Sequence, residues 1–326
     1  MGKSSEAGFL IEKDSRIYVA GHNGMVGSAI VRHLQGKGFE QLILRSKKEL
    51  DLFDQTAVKQ FYMDEKPEYV FDAAARVGGV NANNTLRGQF IYENLQIQNN
   101  LIHYAYESRV KKLLFLGSSC IYPRNAPQPM KEEHLLTGEL EPTNEPYALA
   151  KISGIKMCEN YYRQYGCQFF SLMPTNAYGP NDNYDLETSH ALPALIRKIH
   201  EAKVGDAKEV TVWGSGKPMR EFIYVDDIAD ACAFIMDLDF GDLYEQGLTH
   251  INVGTGSEIS IEGLINLLSE IIGYKGDIKY DKIMPDGMLR KILDMRRINN
   301  LGWKHKIDLE DGLATTYASF VKDHAN

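Results

Sequence analysis

Tyr147 and Lys151 stand four residues apart in Tyr147-Ala148-Leu149-Ala150-Lys151. On a helix that spacing puts both side chains on one face. Reduction of a carbonyl needs a proton donor at the oxygen while hydride reaches the carbon. A tyrosine can donate, but its ordinary pKa of about 10 must be lowered by a cation if it is to act as a base in the reverse direction. Lys151 can be that cation and can also hold a nicotinamide ribose. Ser118 follows the apolar run Leu113–Leu116. An open parallel sheet binds its ligands at such strand ends, where a serine hydroxyl can meet a substrate carbonyl. By itself Tyr-x-x-x-Lys is an ordinary exposed helix pair, so the reading depends on what surrounds it.

A glycine loop supplies that context. Gly21, Gly24 and Gly27 form G-x-x-G-x-x-G directly after the apolar run Ile17–Ala20 and at the start of a helical pattern. The first glycine permits a tight turn, the second a close approach of the backbone to a pyrophosphate, and the third packing of helix on sheet. The helix N-terminus then offers free N–H groups to phosphate. At the end of the second strand a carboxylate would favour NAD by holding a ribose 2′-hydroxyl. This chain has Arg45-Ser46-Lys47-Lys48 instead. Arg45 and Lys47 suit a 2′-phosphate, so NADP(H) is the expected cofactor. Asp51 and Leu52 follow and are placed against the adenine.

These residues need a frame. Short apolar runs at 16–20, 41–45, 69–75, 112–117 and 169–173 alternate with helical patterns at 25–35, 53–63, 86–107 and 147–165. That alternation predicts right-handed βαβ units and an α/β fold with a doubly wound parallel sheet of the Rossmann type. Strands apolar throughout are buried on both faces. After Pro174 the pattern loosens, with helices expected at 192–202, 227–237, 261–272 and 309–321. We therefore expect a cofactor domain over residues 14–179, with a segment at about 220–254 returning to it. A smaller α/β substrate domain then occupies 180–326. Asp226 or Asp227 is expected to cap the helix that follows Phe222-Ile223-Tyr224.

Composition narrows the class. The 326 residues are 44% hydrophobic and 25% charged, with a net charge of −8. Such a chain is globular, and it is ill suited to non-specific nucleic-acid binding. The first fifteen residues hold Lys3, Glu6, Glu12, Lys13 and Asp14 around the short apolar run Gly8–Ile11, which is unlike a signal or transit peptide. A cytoplasmic location without membrane contact is expected. Cys120, Cys158, Cys167 and Cys232 form no CxxC pair, so no metal site is read.

Six stretches carry a resemblance. They are Gly21-His22-Asn23-Gly24-Met25-Val26-Gly27-Ser28, Ala73-Ala74-Ala75-Arg76-Val77-Gly78-Gly79 and Gly117-Ser118-Ser119-Cys120-Ile121-Tyr122-Pro123, then Glu145-Pro146-Tyr147, Met173-Pro174-Thr175-Asn176 and Val212-Trp213-Gly214-Ser215-Gly216. They resemble the extended short-chain dehydrogenase/reductases that act on nucleotide sugars, over nearly the whole chain. Dehydratases of that family usually carry Thr-Asp-Glu where this chain has Ser118-Ser119-Cys120, which favours epimerisation over loss of water.

The resemblance implies an enzyme that epimerises C3 and C5 of GDP-4-keto-6-deoxy-D-mannose and reduces C4 with NADPH, giving GDP-L-fucose. Ser118, Tyr147 and Lys151 match the reductase triad. Cys120 and His190 match the epimerising pair, chemically apt because thiol and imidazole both titrate near neutrality when perturbed. Met25, Val26, Ala74, Ala75, Leu116, Gly117, Ser118, Ser119, Tyr147, Lys151, Pro174, Thr175, Asn176, Ala177 and His190 fall where the family contacts the cofactor. Lys198, Trp213 and Arg220 match positions that hold the nucleotide sugar. The family has an arginine at the position of Lys198, so the bidentate fork is lost there. Trp213 could stack on a guanine and Arg220 could pair with a diphosphate. Asp286 is either a sugar contact or a turn residue. The family usually forms homodimers through the helices at 86–107 and 147–165. The rival functions are another nucleotide-sugar 4-epimerase or dehydratase, and a non-enzymatic NADP-binding regulator.

Overall fold

A computed structural model describes residues 11–283 and 286–324, with the side chain of Val80 left aside. The apolar residues Gly8–Leu10 and Pro285 of Pro-Asp-Gly lie outside the described residues. In chain order the first half comprises β1 (Ile17–Ala20), α1 (Met25–Gly36), β2 (Leu42–Ile43), α2 (Gln55–Glu65), β3 (Tyr69–Asp72), α3 (Val80–Thr85), α4 (Arg87–Glu107), β4 (Lys112–Leu116), α5 (Glu145–Tyr165) and β5 (Phe169–Pro174). Next come β6 (Asn176–Tyr178), α6 (Ala191–Val204), β7 (Glu209–Trp213), β8 (Met219–Arg220), β9 (Phe222–Tyr224), α7 (Val225–Asp237), α8 (Phe240–Glu245) and β10 (Ile251–Val253). The chain finishes with β11 (Ile259–Ser260), α9 (Ile261–Ile272), β12 (Asp277–Asp281), β13 (Arg290–Lys291), α10 (Arg296–Leu301) and α11 (Leu309–His324).

Six parallel strands in the order β10-β5-β4-β3-β1-β2 form the main sheet. Helices α1 and α7 pack together, and α2, α4 and α5 form another group. The expected α/β doubly wound sheet is therefore present. Its buried strands carry Ile17, Val70, Phe71, Leu113, Leu114, Phe115, Phe169 and Phe170, each fully enclosed. This is why the strands read as continuous apolar runs. The strand order reverses between β1 and β3, the place where such a sheet opens a crevice.

Two hydrophobic cores are distinguishable. One spans the main sheet and also takes in Ile223–Val253 and Leu293–Trp303. The other joins Tyr178, Leu192, Ile196, Val210, Leu264, Leu268 and Leu313. Around the second core lie the parallel pairs β7–β12 and β6–β9 and the small sheet β11-β8-β13. The carboxylate of buried Glu221 ties loops of both halves, accepting from the backbone N–H of Thr255 and Gly256 at 2.7 Å each and of Leu293 at 2.8 Å.

Several elements differ from expectation for local reasons. β3 stops at Asp72, not at Ala75, because the Asp72 carboxyl accepts from the Ala74 N–H at 3.2 Å and turns the chain. β2 keeps two residues; beyond it the Arg45 guanidinium folds back onto the Leu44 carbonyl at 2.9 Å. The Asn-rich segment before α4 forms the extra helix α3. Neither Asp226 nor Asp227 caps α7. Tyr224 occupies that position without a side-chain bond, Asp226 pairs with Arg32 at 2.7 Å, and Asp227 accepts from the Lys306 and Ile307 N–H groups at 3.0 Å each.

Candidate functional site

The glycine loop follows β1 and meets the loop after β3. Gly21 has φ +77°, and a Cβ there would lie 2.7 Å from the Ala73 carbonyl oxygen. A Cβ on Gly27 would lie 2.1 Å from the Gly21 carbonyl oxygen, so α1 cannot approach β1 this closely with any other residue. Gly24 stands at the N-cap of α1 with extended backbone and makes no side-chain cap bond. The first turn, at Met25 and Val26, is left open to an anion. A nicotinamide dinucleotide fits this chain because glycine alone fills the cradle and the helix end above it is uncapped.

Farther along the same crevice, Arg45 is ion-paired with Glu65, and Lys47 lies 4.9 Å over the Phe53 ring. Asp51 accepts from the Phe53 N–H at 3.1 Å in a local turn, and the Leu52 carbonyl accepts from Asn100 at 2.8 Å. Ala74 is buried and Ala75 half-buried. Arg76 pairs with Glu93 at 2.8 Å, and its backbone N–H and carbonyl bond the side-chain amide of Asn94, which pins this loop to α4. At the end of β5, Thr175 donates its N–H to Val253 at 2.9 Å, and Asn176 donates to the Glu221 carbonyl at 2.7 Å. Pro174 and Ala177 are half-buried beside them.

Ser118 ends the strand-to-turn passage after β4. Its hydroxyl accepts from the Cys120 N–H at 3.3 Å and caps a single 3-10 turn, Ser119–Ile121. Gly117 and Ser119 are buried, and a Cβ on Gly117 would lie 2.3 Å from the Met173 side chain of β5. α5 begins at Glu145, with Pro146 in its first turn, where a missing N–H costs nothing. Tyr147 and Lys151 therefore share one face of α5, as the spacing predicts. Burial raises the pKa of Tyr147, Cys120 raises it further, and a hydrogen bond with Ser118 lowers it. Lys151 is 3% exposed and donates to the Leu116 carbonyl at 2.8 Å. Desolvation pulls its pKa down to about 8, and the charge of Asp72 opposes that fall.

Cys120 is close to this triad. Its sulfur accepts from Asn144 at 3.3 Å and lies 3.6 Å from the Lys291 ammonium. His190 stands at the N-cap position of α6 with its ring free of capping. The ring touches solvent yet is crowded by protein. Its pKa is lowered first by desolvation and then by Lys291. The loop before it is held where the Gly79 N–H meets the Thr188 carbonyl at 2.8 Å. A Cβ on Gly79 would lie 2.2 Å from the Ser189 carbonyl oxygen.

A second cluster gathers on the substrate side. Lys198 lies 5.3 Å over the ring of Trp213, which is 61% exposed at the end of β7. Both oxygens of Asp286 are engaged by Ser215, at 2.6 Å to its N–H and 2.7 Å to its hydroxyl. That geometry is a loop tie. Asp286 also acts electrostatically on Arg220, whose guanidinium is crowded by protein. In the small sheet Arg220 is the register partner of Lys291. Lys291 thus connects the two clusters. The sequence reading did not include Lys291, Asn144 or Asp72. Nothing in the Arg290-Lys291 run or in the lone Asp72 marks them, because their neighbours are remote in sequence.

Residues 17–254 match the model of the NAD dependent epimerase/dehydratase family, and the chain belongs to that family. It is 55% identical to a putative GDP-L-fucose synthase 2 of Arabidopsis thaliana, over 97% of this chain and 94% of that one. It is 52% identical to the GDP-L-fucose synthase of Escherichia coli, over 94% of this chain and 97% of that one. Among solved structures, the GDP-mannoheptose C4 reductase of Campylobacter jejuni with NADP bound superposes with a TM-score of 0.87 at 43% identity, covering 95% of this chain and 99% of that one.

Proposed function

We propose that this chain converts GDP-4-keto-6-deoxy-D-mannose to GDP-L-fucose, using NADPH. The observation that carries the reading is the position of Lys291. It stands beside Arg220 in the β8–β13 ladder and 3.6 Å from the Cys120 sulfur. A GDP-sugar held by Lys198, Trp213 and Arg220 would thus present its sugar ring to Cys120, Ser118 and Tyr147. Relatives that are GDP-L-fucose synthases, more than half identical over nearly their full length, support the same substrate.

The 4-keto group acidifies the hydrogens at C3 and C5. Cys120 removes a proton and His190 returns one on the opposite face. Ser118 and Tyr147 donate hydrogen bonds to the enolate oxygen that forms on the sugar. When bound, the nicotinamide supplies hydride to C4. Tyr147 then gives its proton to the C4 oxygen, and Lys151 stabilises the charge left behind. The glycine loop, with Met25 and Val26, would hold the pyrophosphate, and Arg45 and Lys47 the 2′-phosphate. Ala74, Ala75, Leu116–Ser119 and Pro174–Ala177 would line the rest. Asp51 and Leu52 would flank the adenine. Asp286 would act by holding Ser215.

In this reading residues 14–179, with about 220–254, form the cofactor domain and 180–326 the nucleotide-sugar domain. No helix of the described residues is long and apolar enough to cross a membrane. A homodimer would join α4 and α5 of two copies. Tyr92, Leu149 and Tyr165 stand exposed on these helices. The enzymatic test is stoichiometry. One NADPH is oxidised per ketosugar consumed, whereas a 4-epimerase, a dehydratase or a regulatory binder oxidises none.

A further inference from the structure

Asp72 is fully enclosed at the carboxyl end of β3. It is the register partner of Phe115, and Phe115 of Ser171. Registered residues of a parallel sheet project to one face. The Phe115 ring on that face lies 4.6 Å beneath the Lys151 ammonium. Helix α5 comes this close because Gly154 has no side chain; a Cβ there would lie 2.4 Å from the Phe115 ring. Asp72 and Lys151 therefore share the space between β3, β4 and α5.

Each of the two has an unmet demand. One Asp72 oxygen accepts from Ala74, and the other, Oδ2, has no hydrogen-bond partner among the described residues. Lys151 carries three N–H groups and, among the described residues, a single hydrogen-bond acceptor, the Leu116 carbonyl. A buried charge of either sign is costly unless an opposite charge is near. We propose that Asp72 is the buried counter-charge of Lys151 and a positioning residue for the reduction step, which rests on the functional reading above.

The electrostatics agree in direction. Burial raises Asp72 to about 6, and Lys151 opposes the rise. Burial lowers Lys151 to about 8, and Asp72 opposes the fall. The other titratable groups that feel Asp72 are Tyr18 on β1, Tyr62 on α2 and Cys158 on α5. Desolvation first, and Asp72 among the lesser causes, pushes all three upward, so they stay neutral near pH 7. The sign follows. Lys151 loses its charge as pH rises, and without Asp72 that loss starts at lower pH.

Rates of NADPH oxidation by the ketosugar, measured from pH 6 to 9.5, test this with Asp72→Asn, Asp72→Leu and Asp72→Glu. Asp72→Leu guards against misfolding, because an apolar side chain of similar volume is tolerated where a buried charge stood. We expect the alkaline limb to move down by at least half a pH unit in the Asn and Leu variants, about a threefold loss of rate at a fixed pH on that limb. The Glu variant should keep the wild-type limb. NADPH affinity, read by fluorescence titration, should show the same displacement. Deuterium exchange at C3 and C5, which runs on Cys120 and His190, should not change. Equal loss at every pH, or unmoved limbs, would overturn the role of Asp72 while leaving the functional reading standing. A wild-type chain that oxidises no NADPH with this ketosugar would overturn the functional reading and this role with it.

Discussion

In the proposed reaction two sets of side chains act on the same sugar, and each can be silenced separately. Cys120, with Asn144 and Lys291 at its sulfur, would face the carbons beside the ketone; Tyr147, with Ser118, would face the oxygen. Cys120→Ala should stop deuterium uptake at C3 and C5. Tyr147→Phe should slow NADPH oxidation about 10²–10⁴-fold, the usual worth of a general acid. It should slow exchange by less, because Ser118 still donates to the enolate oxygen. Exchange abolished in both variants, read by proton NMR in deuterated buffer, would contradict this division of labour. In the proposed pose Trp213 holds the nucleotide end of the substrate, so Trp213→Ala should raise KM about tenfold with kcat nearly unchanged, as removal of uniform binding does. At this scale Ser118, Tyr147 and Lys151 were legible because helix period and strand end dictate where they point. Cys120 and His190 were singled out through family resemblance alone, since a lone cysteine and a lone histidine carry no spacing signal. Lys291 was not legible at all: its contact with Cys120 spans 171 positions and arises from the β8–β13 pairing.

Elements hold these residues through close approaches that only glycine allows. Gly27 seats α1 on β1, and Gly154 seats α5 on Phe115. Gly27→Ala would drive a methyl against the Gly21 carbonyl. It should abolish NADPH binding and cost about 2–4 kcal/mol of stability, measured by fluorescence titration and chemical denaturation. If NADPH affinity stayed within twofold, the loop would not be the pyrophosphate site. The main strands and long helices were legible from continuous apolar runs and from 3.6-residue periodicity. Their ends were not. β3 ends where Asp72 bonds the Ala74 N–H, and α7 begins at Val225 without help from Asp226 or Asp227. Such side-chain choices are settled by tertiary neighbours: Arg32 takes Asp226, and the Lys306–Ile307 backbone takes Asp227.

The whole molecule carries a net charge of −8, yet Arg45, Lys47, Lys198, Arg220 and Lys291 lie along the proposed ligand path. Net charge therefore speaks to solubility, and local charge to the two phosphate-bearing ligands. Exposed Tyr92 on α4 and Leu149 on α5 give the proposed homodimer a test. The double variant Tyr92→Glu, Leu149→Glu should sediment as a monomer where the parent sediments as a dimer; an unchanged mass would refute that interface. The central claim is that one cleft performs two epimerisations and one reduction. Its most direct test is to incubate the protein with GDP-4-keto-6-deoxy-D-mannose and NADPH in deuterated water and assign the product by NMR. We predict GDP-L-fucose carrying deuterium at C3 and C5. A product reduced at C4 with the original configuration and no deuterium at C3 or C5 would contradict it.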